Sequence, residues 1–589
     1  MFKPLSIAFV ILPMIVVAQS QEYPALQFVK AVRQKGPVAY RDPFGAISPD
    51  GKLFAYSDRK QIHVQQMPGG ATFELTKHGS FVISLSWHPD SQHLITYEIG
   101  GERKFLYIYD INTKEGSALW PEKLFFQDPL TKNKVDRADI KELVWSANGS
   151  SVAGLSKKNG KSQLWQMNSK GEEEKMVLEK SLIESIAWNP TANSWAGIVE
   201  KNSQRFIQMN LLDESSEKLT VNCFGPIAFS PDGRWLYYSE ANEKKVVDLR
   251  KYDMKSKSKT PLATFTRDSY GPSVANDGTV LFKLQDYKVF IAAVSGDGGE
   301  SKPITTFMSE ISHWHPDGKL LSFTHGNWRR VMDDLKYPDI AQEIGYIHFD
   351  MDKPADKPEV VVRASYSEDQ GMCWSPNNKW IAFHTHADST DDIWIQPNND
   401  ASKGRPLSKG GHETGWPRWS PDGKWIVSNT AKTADRINKL FLIEMDQEKG
   451  VAISNQKELI PPGLEEGVFT DAQWMDDSKT LVIEYVVNPE EKEIHLVPID
   501  GSKGRRIHTF SSDQLYSGIG LSHDQKWVAY IAPDNNGNFQ VFKVSIDGKE
   551  VKQLTFDATD KAHPSGSPTK NIFSFTVFNY QSIFWLARP

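Results

Sequence analysis

The segment Pro417–Val427, PRWSPDGKWIV, decides the fold of this 589-residue chain. An apolar run ends at a Ser-Pro-Asp-Gly-Lys turn and a second, alternating apolar run follows, which is the pattern of a β-hairpin. A close copy, Ala46–Tyr56 (AISPDGKLFAY), stands near the start of the chain. A phrase that returns about every 40 to 60 residues is typical of strand-rich units stacked side by side, as in the blades of a propeller.

The turn recurs in intact or degraded form along nearly the whole chain. Its copies lie around Asp50, Asp90, Asn148, Pro190, Asp232, Asp277, Asp317, Asn377, Asp422, Asp477, Asp524 and Pro568. One ring usually has about four to eight blades, so these copies exceed a single ring. The sequence therefore predicts an all-β chain with two tandem propellers, six four-stranded blades in each, with a seven-plus-five division as the alternative.

The Gly-rich polar stretch Ser295–Ser301 is typical of a junction between domains. We expect a first propeller over residues 21–300 and a second over 301–589. The end of the chain, Ser582–Arg588, has the pattern of a third strand with no fourth strand behind it. We expect Lys302–Thr306 to supply the outer strand that closes the second ring, and Val38–Arg41 to do the same for the first.

Residues 1–20 have the features of a cleavable signal peptide: Lys3, an apolar stretch over Leu5–Ala18 and the small residues Ala18 and Ser20 around the cleavage site. A membrane anchor is the alternative, but the stretch is short and Pro13 interrupts it. The sequence therefore predicts a periplasmic or extracellular protein, with no transmembrane segment in the mature chain.

Charge and cysteine content narrow the range of partners. The formal net charge of −6 is mild for this length, so it gives no support for a nucleic acid as partner. The two cysteines, Cys223 and Cys373, lie in different predicted rings, and we expect two buried free thiols.

Three copies of the phrase carry a resemblance to a known family: Phe229–Leu236, Trp314–Leu321 and Trp419–Ile426. They resemble the TolB-type, WD40-like propeller repeat, which is similar to the repeats of prolyl-oligopeptidase-type peptidases, of tricorn protease and of certain polysaccharide lyases. The resemblance implies the fold, since its signature residues shape a hairpin turn, and it leaves the function open. The Gly-x-Ser-x-Gly motif of the peptidase relatives does not occur here, so the resemblance does not imply serine peptidase activity.

Candidate functional residues gather in one half of the chain. Ligands of propellers generally meet the loops around the central channel, and the loops that leave second strands or lead into inner strands should share one face. In the second ring these loops carry His325, Trp328, Arg329, Arg330, Asp369, His384, His386, His412, Glu413, Trp416, Asp471, Tyr516 and His563. The corresponding loops of the first ring carry acidic residues and no histidine, which places the predicted site on the second ring.

Two hypotheses of function follow from this face. The first is a binding or scaffold module whose partner is a protein or an acidic glycan, contacted through Trp328, Asp369, Glu413, Trp416, Asp471 and His563. The alternative is a polysaccharide lyase or another carbohydrate-active enzyme acting on acidic polysaccharide. Its base and its carboxylate-neutralising groups would come from His325, His412, Tyr516, Arg329 and Arg330.

A metal ion is the one cofactor that the sequence suggests. His384 and His386 lie two residues apart, so on a strand both imidazoles project from one face. This spacing predicts a site for a divalent metal, although packing between blades would explain the same pair.

Overall fold

The computed structural model describes residues 25–588 with gaps. The gaps are 34–43, 59–60, 76–80, 101–102, 120–125, 128–133, 136–139, 159–160, 172–174, 181, 202–203, 221–222, 243–245, 264, 266–267, 326–342, 363–369, 386–391, 408–412, 415, 432–437, 466–467, 489–490 and 513–517. The predicted signal peptide therefore lies outside the described residues.

The chain divides into two compact units. Among the described residues, unit 1 comprises those within 25–286 and 580–588, and unit 2 comprises those within 287–579. The division within the chain thus falls at 286/287, whereas the sequence placed it at 300/301, and the last ten residues return to unit 1. The long strand over residues 280–295 begins in unit 1 and ends in unit 2, so the chain is already in unit 2 before the Gly-rich stretch Ser295–Ser301. The last long strand, over residues 572–588, runs from unit 2 back into unit 1.

Unit 1 begins with β1 (Ala25–Arg33) and continues with antiparallel sheets whose strands follow one another in chain order. The first two sheets are β2 (Phe44–Ile47), β3 (Leu53–Ser57), β4 (Ile62–Gln66), β5 (Thr72–Glu74), and β6 (Phe81–Trp87), β7 (His93–Gly100), β8 (Arg103–Asp110), β9 (Glu115–Ala118). A two-stranded ladder follows, β10 (Phe126–Gln127) and β11 (Lys134–Val135).

The remaining sheets of unit 1 have the same form. They are β12 (Ile140–Trp145), β13 (Ser151–Lys158), β14 (Lys161–Asn168), β15 (Lys175–Lys180), then β16 (Ile183–Asn189), β17 (Ser194–Lys201), β18 (Gln204–Gln208), β19 (Lys218–Thr220), and β20 (Cys223–Phe229), β21 (Trp235–Ala241), β22 (Val247–Asp253), β23 (Lys259–Ala263). Next come β24 (Ser269–Val274) and the long β25 (Val280–Ser295), which continues into unit 2, where the short β26 (Lys302–Pro303) follows.

Unit 2 repeats this architecture. Its strands are β27 (Ser309–Trp314), β28 (Leu320–His325), β29 (Glu343–His348), β30 (Glu359–Val362); β31 (Gln370–Trp374), β32 (Trp380–Thr385), β33 (Asp392–Pro397), β34 (Arg405–Pro406); β35 (Glu413–Thr414), β36 (Arg418–Trp419), β37 (Trp425–Ala431), β38 (Asn438–Asp446), β39 (Val451–Ala452), β40 (Lys457–Leu459); β41 (Val468–Trp474), β42 (Thr480–Asn488), β43 (Glu491–Pro498), β44 (Arg505–Ser511); β45 (Gly520–Leu521), β46 (Trp527–Pro533), β47 (Phe539–Ser545), β48 (Val551–Gln553); β49 (Asp560–Gly566) and the long β50 (Ile572–Arg588). The helical element of the described chain is one 3₁₀ turn, Ala401–Lys403.

The sheets in each unit close into a ring through their inner strands. In unit 1 the inner strands β2, β6, β12, β16, β20 and β24 contact one another in order, and β24 contacts β2 again. The Trp87 indole nitrogen of β6, for example, donates to the carbonyl oxygen of Ala46 in β2 at 3.0 Å. In unit 2 the Trp474 indole nitrogen donates in the same way to Arg418 at 2.9 Å, and Trp314 donates to Ser565 at 3.1 Å.

One sheet completes both circuits. Its strand order is β1-β50-β25-β24, with β26 paired to β25 and β49 paired to β50. The final strand β50 therefore continues into unit 1, where Ala25–Arg33 pairs with it antiparallel. The sequence correctly placed Lys302–Pro303 beside the closing blade of unit 2, where β26 pairs with Ala292 and Ala293. It wrongly placed Ser582–Arg588 in the second ring, because β50 is long enough to serve both units.

The repeated turn is held by its own side chains. Ser420 donates its hydroxyl to Asp422 at 2.7 Å and accepts the backbone N–H of Trp425 at 2.9 Å. The Asp422 carboxylate also accepts the N–H of Lys424, and Gly423 takes the positive φ of 74° that this turn requires. These contacts recur at Ser48, Ser230, Ser375 and Ser522.

These features confirm the predicted fold class, an all-β propeller architecture of four-stranded sheets. Both cysteines are buried and free, as expected, and burial raises the pKa of each thiol. Among the described residues, no helix has the length and apolar character needed to cross a membrane.

Candidate functional site in the channel of unit 2

Inner strands of unit 2 converge on a cluster of polar side chains. His313 lies on β27, Arg418 on β36, Asp471 on β41 and His563 on β49, while Trp416 precedes β36. These strands belong to different sheets of the circuit, so side chains that leave them toward the ring axis can meet. We call these five residues the channel cluster.

The Trp416 indole holds the channel cluster together. Its ring centroid lies 5.1 Å from that of His563 and 6.3 Å from that of His313. The guanidinium carbon of Arg418 lies 5.8 Å from the same indole ring. Because its neighbours come from opposite parts of the circuit, the indole lies toward the middle of the ring.

A β-bulge in the inner strands helps to aim these side chains. The register of the ladder shifts between Glu310 and His313 in β27, and it shifts again between Ala562 and Ser565 in β49. The backbone is left-handed at Ile311, with φ 54°, and at His563, with φ 50°. A bulge of this kind turns the strand and redirects the side chain next to it.

Arg418 is the main charged group of the cluster. It is 7% exposed, its Nη1 donates to the Pro417 carbonyl at 3.0 Å, and its Nη2 lies 3.5 Å from Asp471 Oδ1. Within the described part of the chain, Nε and Nη2 have no hydrogen-bond acceptor although both atoms are buried. Since buried donors are normally satisfied, two N–H directions of this guanidinium are available to an acceptor from outside.

Asp471 is oriented by backbone groups. Its carboxylate accepts the N–H of Ala472 at 2.8 Å and the N–H of Ile519 at 3.1 Å. Burial raises the pKa of Asp471, and the Arg418 guanidinium and the Ile519 N–H oppose that rise. The carboxyl group is therefore held in place and is easier to protonate than an exposed aspartate.

The two imidazoles of the cluster are weak bases. Burial and, to a smaller extent, the nearby Arg418 and Lys492 cations lower the pKa of His563 to about 3. Burial and Arg418 also hold the pKa of His313 well below its ordinary value. Both rings are neutral at pH 7, and the buried Nε2 of His313 has no hydrogen-bond partner among the described residues.

A buried ion pair lies behind Asp471. Lys492 Nζ is 3.5 Å from Glu484 Oε2, and the two side chains are 1% and 0% exposed. Glu484 also accepts the hydroxyl of Thr470 and, at 3.3 Å, the backbone N–H of Gly518. These contacts fix the strands that carry Asp471 and oppose any shift of its carboxylate.

The structure brings three of the predicted site residues together: Trp416, Asp471 and His563. His325 lies at the end of β28, 3.5 Å from the Glu343 carboxylate and against the rings of Phe307 and Phe323. Burial lowers its pKa, which the Glu343 carboxylate opposes.

Only some of the remaining predicted site residues lie within the described part of the chain. His384 is buried in β32, opposite Gln370 and Ile393 in the ladder. Glu413 lies in β35, but its side chain is outside the described residues. The same applies to the whole of Trp328, Arg329, Arg330, Asp369, His386, His412 and Tyr516. The lyase assignments and the metal pair of His384 with His386 therefore stay predictions.

Sequence reasoning missed His313 and Arg418. Each stands directly before the tryptophan of an inner strand, in His313-Trp314 and Arg418-Trp419, where the neighbouring repeats have Cys373 and Gln473. A charged or titratable residue inside an apolar strand is the signal that could have identified them. Both side chains belong to strands, whereas the candidates predicted from the sequence were sought in loops.

Comparisons with known proteins agree with the repeat class. The model of the WD domain, G-beta repeat family (WD40) matches residues 69–110. An uncharacterized protein of Agrobacterium fabrum is 24% identical over 213 residues, which are 35% of this chain and 66% of that protein.

Solved structures with similarity to this chain include tricorn protease and TolB from Acinetobacter baumannii. Tricorn protease shares 11% identity at a TM-score of 0.31, covering 87% of this chain and 62% of its own. TolB shares 11% identity at a TM-score of 0.26, covering 82% of this chain and 85% of its own. The chain thus spans less than two thirds of the lengths of the Agrobacterium relative and of tricorn protease.

The closed circuits of inner strands, the Ser-Pro-Asp-Gly turns and the WD-domain match together define a β-propeller protein. One of its repeats, over residues 69–110, is similar to the WD40 repeat.

Proposed function

We propose that the protein is a binding module whose channel cluster in unit 2 takes up a carboxylate group of a protein or acidic glycan. Arg418 carries this proposal. Its buried Nε and Nη2 atoms lack acceptors among the described residues, and a guanidinium edge of two N–H groups matches the two oxygens of a carboxylate.

Its neighbours suit the same ligand. The buried Nε2 of His313 can donate a further hydrogen bond, because a neutral imidazole carries one N–H. Trp416 offers an aromatic face for the apolar side of a peptide or sugar. Trp416, His313 and His563 are each partly exposed.

Charged groups in unit 1 are arranged differently. Arg205 lies 3.0 Å from Glu184 and 3.7 Å from Glu200, and Arg250 lies 3.1 Å from Glu240. Arg205 therefore has two carboxylate partners within unit 1, and Arg250 has one at close range. Among the described residues, the carboxylate nearest to Arg418 is farther away, at 3.5 Å, and this asymmetry supports unit 2 as the binding unit.

A lyase would need a base near the ligand, and the two imidazoles of the described cluster are poor ones. A base works best when its pKa is near the working pH, whereas the pKa of His563 is lowered to about 3 and that of His313 is also well lowered. This favours binding over proton abstraction by these histidines. The signal peptide predicted for residues 1–20 would deliver the module to the periplasm or the cell exterior, and a mature N-terminus at Gln21 would establish the cleavage.

The proposal is tested by titration calorimetry with two carboxylate probes, oligogalacturonate and a glutamate-rich peptide. We expect one of them to bind and its methyl-esterified form to bind more weakly. Arg418→Gln should weaken binding at least about tenfold, since hydrogen bonds to charged groups contribute roughly 1.5–3 kcal/mol.

Arg405→Gln is the matched control. Arg405 also lies over a tryptophan of unit 2, 5.1 Å from the Trp380 ring, but it is on an outer strand and donates to the Gly450 carbonyl at 2.7 Å. It should leave binding unchanged. Equal affinity of the Arg418→Gln and parent proteins, or no binding of either acid, would overturn the proposal.

A further inference from the structure

We propose that unit 1 carries a site for a divalent first-row metal ion such as Zn²⁺, formed by His88, Asp90 and His93. These residues stand on the turn between β6 and β7, the same turn that holds Ser-Pro-Asp-Gly in other repeats. We call it the His88 turn. It is separate from the channel cluster, and its test does not depend on the function proposed above.

The three side chains are already close to the arrangement that one ion needs. Asp90 Oδ2 lies 3.0 Å from His88 Nδ1 and 2.7 Å from His93 Nδ1. One ligand atom from each residue lies within 4.8 Å of the others. Two ligands of a tetrahedral Zn²⁺ with bonds of about 2.1 Å lie roughly 3.4 Å apart, so a small outward movement of Asp90 would seat the ion.

Hydrogen bonds of His88 indicate its tautomer. Its Nε2 lies 3.3 Å from the Gly149 carbonyl oxygen, which can only accept, and the Asp90 backbone N–H points to its Nδ1 at 3.3 Å. Both contacts favour the tautomer with the proton on Nε2. Nδ1 then accepts the Asp90 N–H with the Asp90 carboxylate oxygen 3.0 Å away, and an ion bound at Nδ1 would take the place of that N–H contact.

Surrounding groups resemble the outer shell of a metal site. A metal-bound histidine usually donates its other ring N–H to a carbonyl or carboxylate. His88 has the Gly149 carbonyl in that position, and His93 Nε2 lies 3.8 Å from Asp110 Oδ2. The rings of Trp145 and His88 pack edge to face, with their centroids 4.7 Å apart. A Cβ on Gly149 would come within 2.3 Å of the His88 Nε2. His88 is thus held in its orientation from two sides.

A turn in unit 2 has the same histidine and aspartate as the His88 turn but lacks its third ligand. At the corresponding turn of unit 2, His315 Nδ1 lies 2.8 Å from Asp317, whose N–H points back to it at 3.2 Å, and Nε2 lies 2.9 Å from Asn378 Oδ1. A histidine in this turn can therefore serve the hairpin alone. The position of His93 is Leu320 there, so the His88 turn differs by having a third ligand.

Two imidazole nitrogens and one carboxylate oxygen favour Zn²⁺ and its neighbours over Mg²⁺ or Ca²⁺, which prefer oxygen. The side chains of His88, Asp90 and His93 are 21%, 34% and 37% exposed. An ion could enter from solvent, and water would complete its coordination.

The test uses the full chain, freed of metal and titrated with ZnCl₂, with Co²⁺ absorption as a spectroscopic check on imidazole ligation. We expect one Zn²⁺ bound at the His88 turn and a melting temperature that rises on its addition. His93→Leu, which copies the His315 turn, should weaken this binding by at least about tenfold and remove the thermal shift. His93→Asn gives a second variant in case leucine disturbs the fold.

The reverse change is the matched control. Leu320→His should add a second Zn²⁺ equivalent at the His315 turn without altering the first. If the parent and His93→Leu proteins bind Zn²⁺ alike, or if the parent binds none at 100-fold excess, the three residues form a hydrogen-bonded turn only and the proposal is wrong.

Discussion

Gly371 illustrates how one residue shapes the channel of unit 2. It occupies the bulge of inner strand β31 at a φ of 61°, a region that side chains avoid. A Cβ built there would lie 2.2 Å from the Trp416 ring, and 2.7 Å from its Cβ. The indole of the channel cluster can therefore take its position because the neighbouring repeat has no side chain at this point.

Gly371→Ala should both destabilise unit 2 and displace Trp416. Strain at the left-handed backbone costs about 1–3 kcal/mol, and the clash with the indole adds to it. We expect a lower free energy of unfolding in urea together with weaker carboxylate binding.

Gly271→Ala separates the two effects. Gly271 has a φ of 66° at the bulge of inner strand β24 in unit 1, and a Cβ there would meet no atom within 4 Å. It should show the backbone strain alone and keep full binding. Equal losses of stability in the two variants would contradict the packing of Trp416 on Gly371.

At the scale of elements, the inner strands place two neutral histidines beside an arginine. An imidazole that stays neutral when folded but takes up a proton when unfolded, near pH 6.5, favours the unfolded chain at lower pH. The pKa of His563 is lowered to about 3 and that of His313 is also lowered. Stability from these groups is therefore complete above pH 6.5 and is lost as the pH falls below it.

We expect the free energy of unfolding to fall between pH 7 and pH 5, by at most about 1.4 kcal/mol per pH unit for each imidazole. Asp471 acts in the opposite direction, because its raised pKa favours the folded state as it takes up a proton. The double variant His313→Asn, His563→Asn isolates the histidine contribution, and asparagine tolerates the left-handed backbone at residue 563. The measurement is urea unfolding at several pH values.

The double variant should show a flatter pH dependence than the parent protein. His508→Asn is the control for a single histidine outside the cluster, because burial also lowers the pKa of His508 on outer strand β44. It should flatten the pH dependence less than the double variant does. An identical slope for the double variant and the parent would mean that the cluster histidines are protonated alike in both states.

At the scale of the whole molecule, each unit is completed by residues from a distant part of the chain. Strand β50 contributes Phe575 to a core with Phe573 and Val541 in unit 2. Farther along the same strand, Trp585 packs with Phe265 and Phe282 in unit 1. The last residues of the chain therefore stabilise the unit that forms from its first half.

Trp585→Ala should destabilise unit 1 rather than unit 2, although residue 585 follows the whole of unit 2 in the sequence. Truncating a buried aromatic residue costs about 3–5 kcal/mol. Hydrogen exchange followed by mass spectrometry should show faster exchange in β1 and β24. Phe575→Ala, on the same strand, should instead accelerate exchange in β47 and β49. Faster exchange in unit 2 after Trp585→Ala would contradict the division within β50.

Much of the local structure could be predicted from the sequence. The hairpins follow from Ser-Pro-Asp-Gly turns whose hydrogen bonds connect residues two to five positions apart, as Ser420 shows with Asp422 and Trp425. The alternating apolar runs on either side indicate strands with buried faces. Even the pairing of Lys302–Pro303 with the closing blade of unit 2 could be expected, because a ring leaves no edge strand open.

Only the tertiary structure decided which strands close each ring and which side chains share the channel. The pairing of Ala25–Arg33 with β50 connects residues more than 500 positions apart, and no local pattern specifies such a partner. His313, Trp416 and His563 meet because inner strands of different sheets surround one axis. The sequence by itself determined the repeat and its turns through short-range hydrogen bonding and periodicity, whereas the candidate site depends on the closure of the ring, which brings distant strands together.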